Sequence, residues 1–486
     1  MTSTKYKYFA IAILLLFQAS LKVKAFSFAP TKSTAVLQVA PPSWEELSTH
    51  LDQLQNVNEE DGALPLITLF RDTNGWCPFC ERVWFALKIK NIPYEENLIN
   101  LFDKPKWFTD MVPTALVPAI LIHTDTVKDQ AEAESEGRDK PDEVENKKKA
   151  PPQRTLIWES LDILKALDEH FPDTPKLVYE DDENYMKGRE VMNALTSAGF
   201  KYLYNMKNDT LTMEEKEQQK SEFEQCLDDL ETFIGRTTKS PFFLNTITGL
   251  DVEAIPTLER WRYQLPLTKN IDIMEGRPNL TRWFEAMDDY QPYTERVGGD
   301  EYSWTAVAST FLKLFSSNAG KDGGDGLPDE TKEAIAKAEE AAKLMTSTFS
   351  VNPHDAGVYT KELLDKGRIE AAAKLISNHN AIVKDCTNTD PKSQQDIERA
   401  DDPKNADWVI RLVAAKLLNV ESPDTSTTAS AADDDDNDAN TDLDFTDAAK
   451  AAKTVASRLC VPRDLGGPAA SVLRYELVKT ASELVP

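Results

Sequence analysis

One stretch constrains this chain more than any other. A strand-like run, Leu66-Ile67-Thr68-Leu69-Phe70, leads through Gly75-Trp76 into Cys77-Pro78-Phe79-Cys80, and a helix-like run over residues 82–90 follows. A helix N-terminus aims unpaired N–H groups and a partial positive charge at the first sulfur, which favours thiolate over thiol. Pro78 in the first turn costs nothing, because its missing N–H would have had no partner there. A Cys-Pro-X-Cys between a strand and a helix is a redox-site arrangement. Cys77 is the candidate nucleophile and Cys80 its candidate companion.

The other cysteines fit this reading. There are five in 486 residues: Cys77, Cys80, Cys226, Cys386 and Cys460. Only the first two are neighbours, so no disulfide framework is written in the spacing and a reducing compartment is implied. A zinc site would need a second ligand pair, and none is visible, so no metal is expected. The length suits roughly two to four domains, and 41% hydrophobic residues are enough for real cores. The net charge of −27 argues against nucleic acid as a partner, since phosphate would be repelled.

The first 40 residues read as a targeting segment. Lys5 and Lys7 precede an apolar run over residues 9–17 that is too short to span a bilayer, and Val23-Lys24-Ala25 offers small residues for cleavage. Phe26-Ser27-Phe28-Ala29-Pro30 then resembles the cleavage-site motif of the bipartite plastid-targeting sequences of diatoms and related algae. Residues 31–39 carry hydroxyls and Lys32 without any acid, as transit peptides do. A plastid destination is expected, with an ordinary secretory signal as the alternative.

Beyond it, residues 43–57 read as a helix capped by Ser43, with Trp44, Leu47, Leu51 and Leu54 on one face. Strands are expected at 66–70, 92–99, 116–122 and 156–158, with helices at 82–90 and 161–170. The order β-α-β then β-β-α is the thioredoxin-like plan, placed over residues 64–172. Residues 123–155 are charged and almost free of large apolar side chains, far longer than the two to five residues a hairpin needs. They read as a disordered insertion at a hairpin tip, more a solvated loop than a binding element.

An all-helical domain is expected over residues 181–300. Helices are read at 185–206, 213–233, from 248 onward and at 278–290, the last burying Leu280, Trp283, Phe284 and Met287. Thr248 and Asp251 form a capping box, with Ile247 stapled on Val252. Residues 320–486 read as a small helical tail, rich in Ala, Lys and acids. Its segments 334–364 and 448–477 have a similar helix–turn–helix layout, a weak repeat signal. The acidic linker 422–442 reads as flexible.

Residues 64–300 resemble a soluble glutathione transferase, and their first half is similar to the omega class. Cys77-Pro78-Phe79 matches the motif that opens the first helix of that class, where cysteine replaces tyrosine or serine. Lys104-Pro105-Lys106-Trp107-Phe108 resembles a stretch whose lysine helps bind glutathione. Leu116-Val117-Pro118 matches the family's Val-Pro, with a cis proline. Glu159-Ser160 matches the pair that holds the γ-glutamyl end, and the Thr248–Asp251 box matches the one opening a core helix.

The resemblance implies an α+β thioredoxin-like domain, an all-α domain and glutathione as cosubstrate. It also implies a set of contacts. Glu159 pairs with the γ-glutamyl amine, and Ser160 with the helix N-terminus takes its carboxylate. Val117, held by Pro118, pairs with the cysteinyl backbone like an added strand. Lys104 meets the glycyl carboxylate, although a surface lysine is as readily only solvated. Phe79 borders the site. Trp76, Trp107 and Trp158 are expected to pack rather than to touch ligand.

Three features depart from the omega class: Cys80 in place of alanine, the insertion, and the tail. Cys-Pro-Phe-Cys is shared with dehydroascorbate reductases and glutaredoxins. Cys80 either resolves a mixed disulfide or is a silent buried thiol. The favoured activity is glutathione-dependent thioltransferase or reductase chemistry on a disulfide or dehydroascorbate. Two other readings stay open: conjugation of glutathione to small electrophiles, and a binding or scaffold protein whose tail recruits a partner. The family's usual homodimer is the expected assembly.

Overall fold

The computed structural model describes residues 40–56, 65–123, 154–203, 211–236, 239–315, 327–388, 398–420 and 443–485. The targeting segment, all of the insertion but its ends, and the acidic linker lie outside the described residues.

Helix α1 (Trp44–Asn56) starts at Ser43, as its cap predicts. The Glu46 amide donates to the Ser43 hydroxyl at 3.2 Å, and the Ser43 amide donates to the Glu46 carboxylate at 2.8 Å. Its apolar residues Leu47 and Leu51 are buried.

The sheet comprises β1 (Ile67–Asp72), β2 (Tyr94–Ile99), β3 (Ala119–His123) and β4 (Arg154–Trp158), in the order β2-β1-β3-β4. β1 is parallel to β2 and antiparallel to β3, and β4 is antiparallel to β3. Alternation along the strands sorts two cores. Ile67, Leu69, Ile120 and Ile122 face the buried side chains of α2 (Pro78–Ile89) and α4 (Ser160–His170). Phe70, Ile99 and Ala119 gather on the other face with Phe108 of α3 (Lys106–Met111). The hairpin closes with His123 opposite Arg154, so the long insertion leaves from paired strand ends.

Several boundaries differ from those read in the sequence. β1 runs on through Arg71 and Asp72, which pair with Leu98 and Ile99. Arg71 is buried because its Nε donates to Glu96 at 3.0 Å and its guanidinium lies 4.1 Å from the centre of the Trp84 ring. Helix α2 starts at Pro78 rather than residue 82, and β3 starts only at Ala119.

The all-helical region holds α5 (Glu183–Leu203), α6 (Met213–Ile234), α7 (Gly249–Thr268), α8 (Pro278–Asp288), the short α9 (Gln291–Thr294) and α10 (Glu301–Phe315). The expected capping box opens α7. Buried Asp251 accepts from the Thr248 amide at 2.8 Å, the Phe243 amide at 3.1 Å and the Trp283 indole at 2.9 Å. All four residues expected on the inner face of α8 are buried. Gly199 of α5 lets that helix approach α7; a Cβ there would lie 2.3 Å from the Trp261 ring.

The tail contributes α11 (Asp329–Met345), a 3₁₀ turn (Thr346–Ser350), α12 (Pro353–Ala356), α13 (Lys361–Cys386), α14 (Pro403–Leu418), α15 (Phe445–Arg458) and α16 (Gly467–Leu484). α1 docks on this tail rather than on the sheet. Trp44 donates to Asp407 at 2.8 Å and stacks on His379 at 4.4 Å. The loop between α15 and α16 is tied to the helical region. The Val461 amide donates to Ser303 Oγ at 2.8 Å, and Arg296 donates to the Pro462 carbonyl at 2.6 Å. Arg474 donates to the Leu459 carbonyl at 2.8 Å and pairs with Asp300. Val461 and Leu465 in this loop are fully buried.

Candidate active site

Register alone brings the expected site residues to one edge of the sheet. Phe70, Ala119 and Trp158 form one row across β1, β3 and β4. Just past this row lie the three connecting segments: Asp72 to Cys77, Val117-Pro118 and Glu159-Ser160. The end of β2 joins them, with Ile99 opposite Asp72.

Cys77 is the N-cap of α2 in extended conformation, and its side chain makes no cap bond, so the helix N-terminus points at a free sulfur. Cys77 is half-buried, whereas Cys80, one turn on, is 1% exposed. A hydrogen bond from Cys80 holds the Cys77 thiol below its ordinary value. Burial and the Asp72 charge oppose this, and the amides of Cys80 and Phe79 assist it. Burial, first, and the Cys77 and Asp72 charges drive Cys80 well up. The two sulfurs are thus differentiated: half-buried Cys77 is the more readily ionised, and buried Cys80 is the donor beneath it.

Asp72 is the residue that sequence reading missed. An oxygen of Asp72 and the two sulfurs all lie within 4.8 Å of one another. Asp72 Oδ2 accepts the Trp76 amide at 2.7 Å, while Oδ1 is buried without a partner among the described residues. The signal was an acid at the end of β1, five residues before Cys77. These three side chains are also the one group among the described residues that could hold a metal ion. Three ligands are one short of a closed zinc site.

The loop before Cys77 is gripped from three sides. Arg260 of α7, buried, donates to the Trp76 carbonyl at 3.1 Å and pairs with Glu81 of α2 at 2.7 Å. Tyr293 donates to Glu81 at 2.9 Å. The Trp76 ring meets Phe311 edge-on at 5.4 Å and packs beside Trp304 and Cys460. Gly75 has φ +66°, and a Cβ there would lie 3.3 Å from Pro462 and 3.4 Å from the Arg463 amide. The tail therefore forms a wall of the loop before Cys77. Close by, burial and the Glu81 charge push the Glu259 carboxyl up to about 8.

The residues expected to hold glutathione sit as follows. Ser160 is buried at the first position of α4, and Glu159, exposed, has φ +69° with no side-chain cap bond. Val117-Pro118 is cis. Lys104 Nζ donates to the Ala115 carbonyl at 2.9 Å, using one of its three donors. Phe79 is 46% exposed beneath the Arg82 guanidinium. Trp158 packs against the Phe70 core, whereas Trp107 is half exposed, its ring tilted against Phe70 at 6.0 Å and edge-on to Phe108 at 5.9 Å.

Residues 76–170 match the glutathione S-transferase N-terminal domain, and residues 213–286 match the glutathione S-transferase C-terminal domain. Glutathione S-transferase L1 of Arabidopsis thaliana is 27% identical over 230 residues, covering 46% of this chain and 80% of that protein. The chloroplastic glutathione S-transferase L2 of the same plant is 27% identical over 221 residues, 45% of this chain and 62% of that protein. Glutathione S-transferase DHAR2, also from Arabidopsis thaliana, is 43% identical over 58 residues, 12% of this chain and 27% of that protein. The crystal structure of glutathione transferase Omega 3C from Trametes versicolor covers 52% of this chain and 89% of its own, at 17% identity and a TM-score of 0.35. The chain thus matches both domains of the glutathione S-transferases, in order, over residues 76–286.

Proposed function

We propose that the chain is a glutathione-dependent thioltransferase or reductase, with Cys77 as nucleophile. The observation that carries this reading is the pair of unlike sulfurs at the N-terminus of α2. The Cys77 thiolate attacks a glutathione mixed disulfide or an oxidised acceptor such as dehydroascorbate. With a mixed disulfide, the S–S bond breaks, the target leaves as a thiol, and a Cys77–glutathione disulfide remains. Lys104, Val117, Glu159 and Ser160 hold the glutathione portion, and Phe79 borders it. Conjugation to electrophiles asks for a group that hydrogen-bonds the glutathione thiolate without competing for the acceptor. A cysteine at that position forms a disulfide with it instead.

The test is a pair of assays on protein lacking its first ~40 residues, the expected targeting segment. Wild type turns over a glutathione mixed disulfide, and Cys77→Ser abolishes that turnover. Full thioltransferase activity in Cys77→Ser sinks the assignment. A plastid destination is part of the same proposal. It rests on the Phe26-to-Pro30 motif, and the chloroplastic relative is consistent with it.

A further inference from the structure

The single cysteine of the omega pattern needs an external glutathione to release its adduct. This chain adds a second sulfur and, unannounced by either motif, a buried carboxylate. Asp72 is 1% exposed at the end of β1, with Oδ2 engaged by the Trp76 amide and Oδ1 unpartnered among the described residues. Its carboxylate lies within 4.8 Å of both sulfurs. A buried carboxylate oxygen with no donor forfeits the hydrogen bonds it had in water. The two thiols are the neighbours that can offer it a proton.

We propose that Asp72 is the proton acceptor for Cys80, making Cys77–Cys80 a working dithiol couple that resolves the glutathione adduct internally. This deepens the thioltransferase reading and rests on it. Cys80 gives its proton to the Asp72 carboxylate, and its sulfur attacks Cys77 Sγ. A Cys77–Cys80 bond forms as the Cys77–glutathione bond breaks, and the electron pair leaves on the glutathione thiolate. Cys80 is oxidised and the glutathione sulfur reduced, two electrons in all. The carboxylic acid on Asp72 then protonates the departing thiolate or loses its proton to water. Two further glutathione molecules reduce the internal disulfide and leave as oxidised glutathione.

The need for an acceptor follows from position. Cys80 is enclosed, so bulk water does not reach its proton, and its burial opposes unassisted ionisation. Among the described residues, the neighbouring charges offer no other base. Glu81 is paired with Arg260 at 2.7 Å, Arg71 donates to Glu96 and to the Asp72 carbonyl, and Arg82 is a cation.

A bystander charge predicts the opposite result. As a charge alone, Asp72 raises both thiols, so removing it frees Cys80 to ionise and speeds resolution. As acceptor, its removal slows resolution. The experiment mixes the full chain with oxidised glutathione, quenches with acid at intervals, and weighs the peptide carrying both cysteines. Wild type forms the Cys77 adduct, which decays to the internal disulfide at a rate nearly flat between about pH 6 and pH 8. In Asp72→Asn, whose amide oxygen keeps an acceptor for the Trp76 amide, the ratio of resolution to adduct formation falls by about a hundredfold. Its resolution rate then climbs about tenfold per pH unit, as unassisted ionisation requires.

An unchanged or larger ratio in Asp72→Asn overturns the inference. So does a persistent adduct in wild type, or a wild-type resolution rate that itself climbs about tenfold per pH unit, a readout that does not depend on the variant folding. If no adduct forms in either wild type or Cys80→Ser, the thioltransferase reading has failed first. That outcome is distinct from an adduct that forms and resolves without Asp72.

Discussion

Arg260 joins the helical region to the loop before Cys77, and Arg260→Met is the most informative way to break that joint. The guanidinium is buried, pairs with Glu81 at 2.7 Å, donates to the Trp76 carbonyl at 3.1 Å and to the Pro256 carbonyl, and lies 4.2 Å from the centre of the Trp304 ring. Methionine fills much of the volume but leaves Glu81, among the described residues, with the Tyr293 hydrogen bond and without its paired guanidinium. Removing one member of a buried pair costs about 3–5 kcal/mol, because the other charge stays buried. Adding Glu81→Gln removes that charge, so the double variant recovers about 2 kcal/mol of the loss.

The pH dependence fixes the cause. Burial raises the Glu81 carboxyl, and among the groups that pull it back down the Arg260 charge does most, so without Arg260 it sits higher still. A carboxyl raised in the folded chain holds a proton that the unfolded chain has released. Its cost is absent at acid pH and grows as pH rises above the unfolded value. Urea unfolding should therefore show a smaller loss for Arg260→Met at about pH 5 than at about pH 8, since the cost grows as pH rises above the unfolded value. A loss below about 1 kcal/mol, or a double variant equal to the sum of the singles, refutes the coupling.

Other outcomes follow from single residues. Glu259, held at about 8 against an ordinary 4.5, keeps its proton in the folded chain over that interval, so stability falls as pH climbs through it. Glu259→Gln should flatten that slope by up to about 1.4 kcal/mol per pH unit in denaturant titrations; an unaltered slope rejects it. Gly75→Ala forces a side chain into φ +66° and against Pro462 and Arg463, costing about 1–2 kcal/mol by the same assay. An unshifted midpoint would show that the tail does not press on this loop. Ser160→Ala should weaken glutathione binding about tenfold by calorimetry, the loss of one bond to a charged group; equal affinity removes Ser160 from the site.

Local chemistry made the skeleton legible. The Cys-Pro turn, the Ser43 cap and the Thr248–Asp251 box are each written within a few residues, and each opens the helix it announces. The sheet-edge convergence of Cys77, Val117 and Glu159 was reachable because strand order fixes it. What failed to show depends on contacts distant in sequence. Arg71 and Asp72 looked too polar for a buried strand until Glu96, Trp84 and the two sulfurs surround them. Arg260 reaches Trp76 across 184 positions, and Cys460 and Pro462 pack on the loop before Cys77 from the far end of the chain. No periodicity within a helix encodes such a meeting. Lys104 shows a subtler gap: its motif gave its place, but not the bond to Ala115 that orients it.

The most direct measurement is to identify which sulfur carries glutathione. Cys80→Ser protein, unable to form the internal disulfide, is exposed to oxidised glutathione, digested and mapped by mass spectrometry across Cys77, Cys226, Cys386 and Cys460. Glutathione on Cys77, formed rapidly and removed by reduced glutathione, is the expected result. An unmodified Cys77, or an adduct confined to half-buried Cys226, contradicts the assignment of Cys77 as the nucleophile.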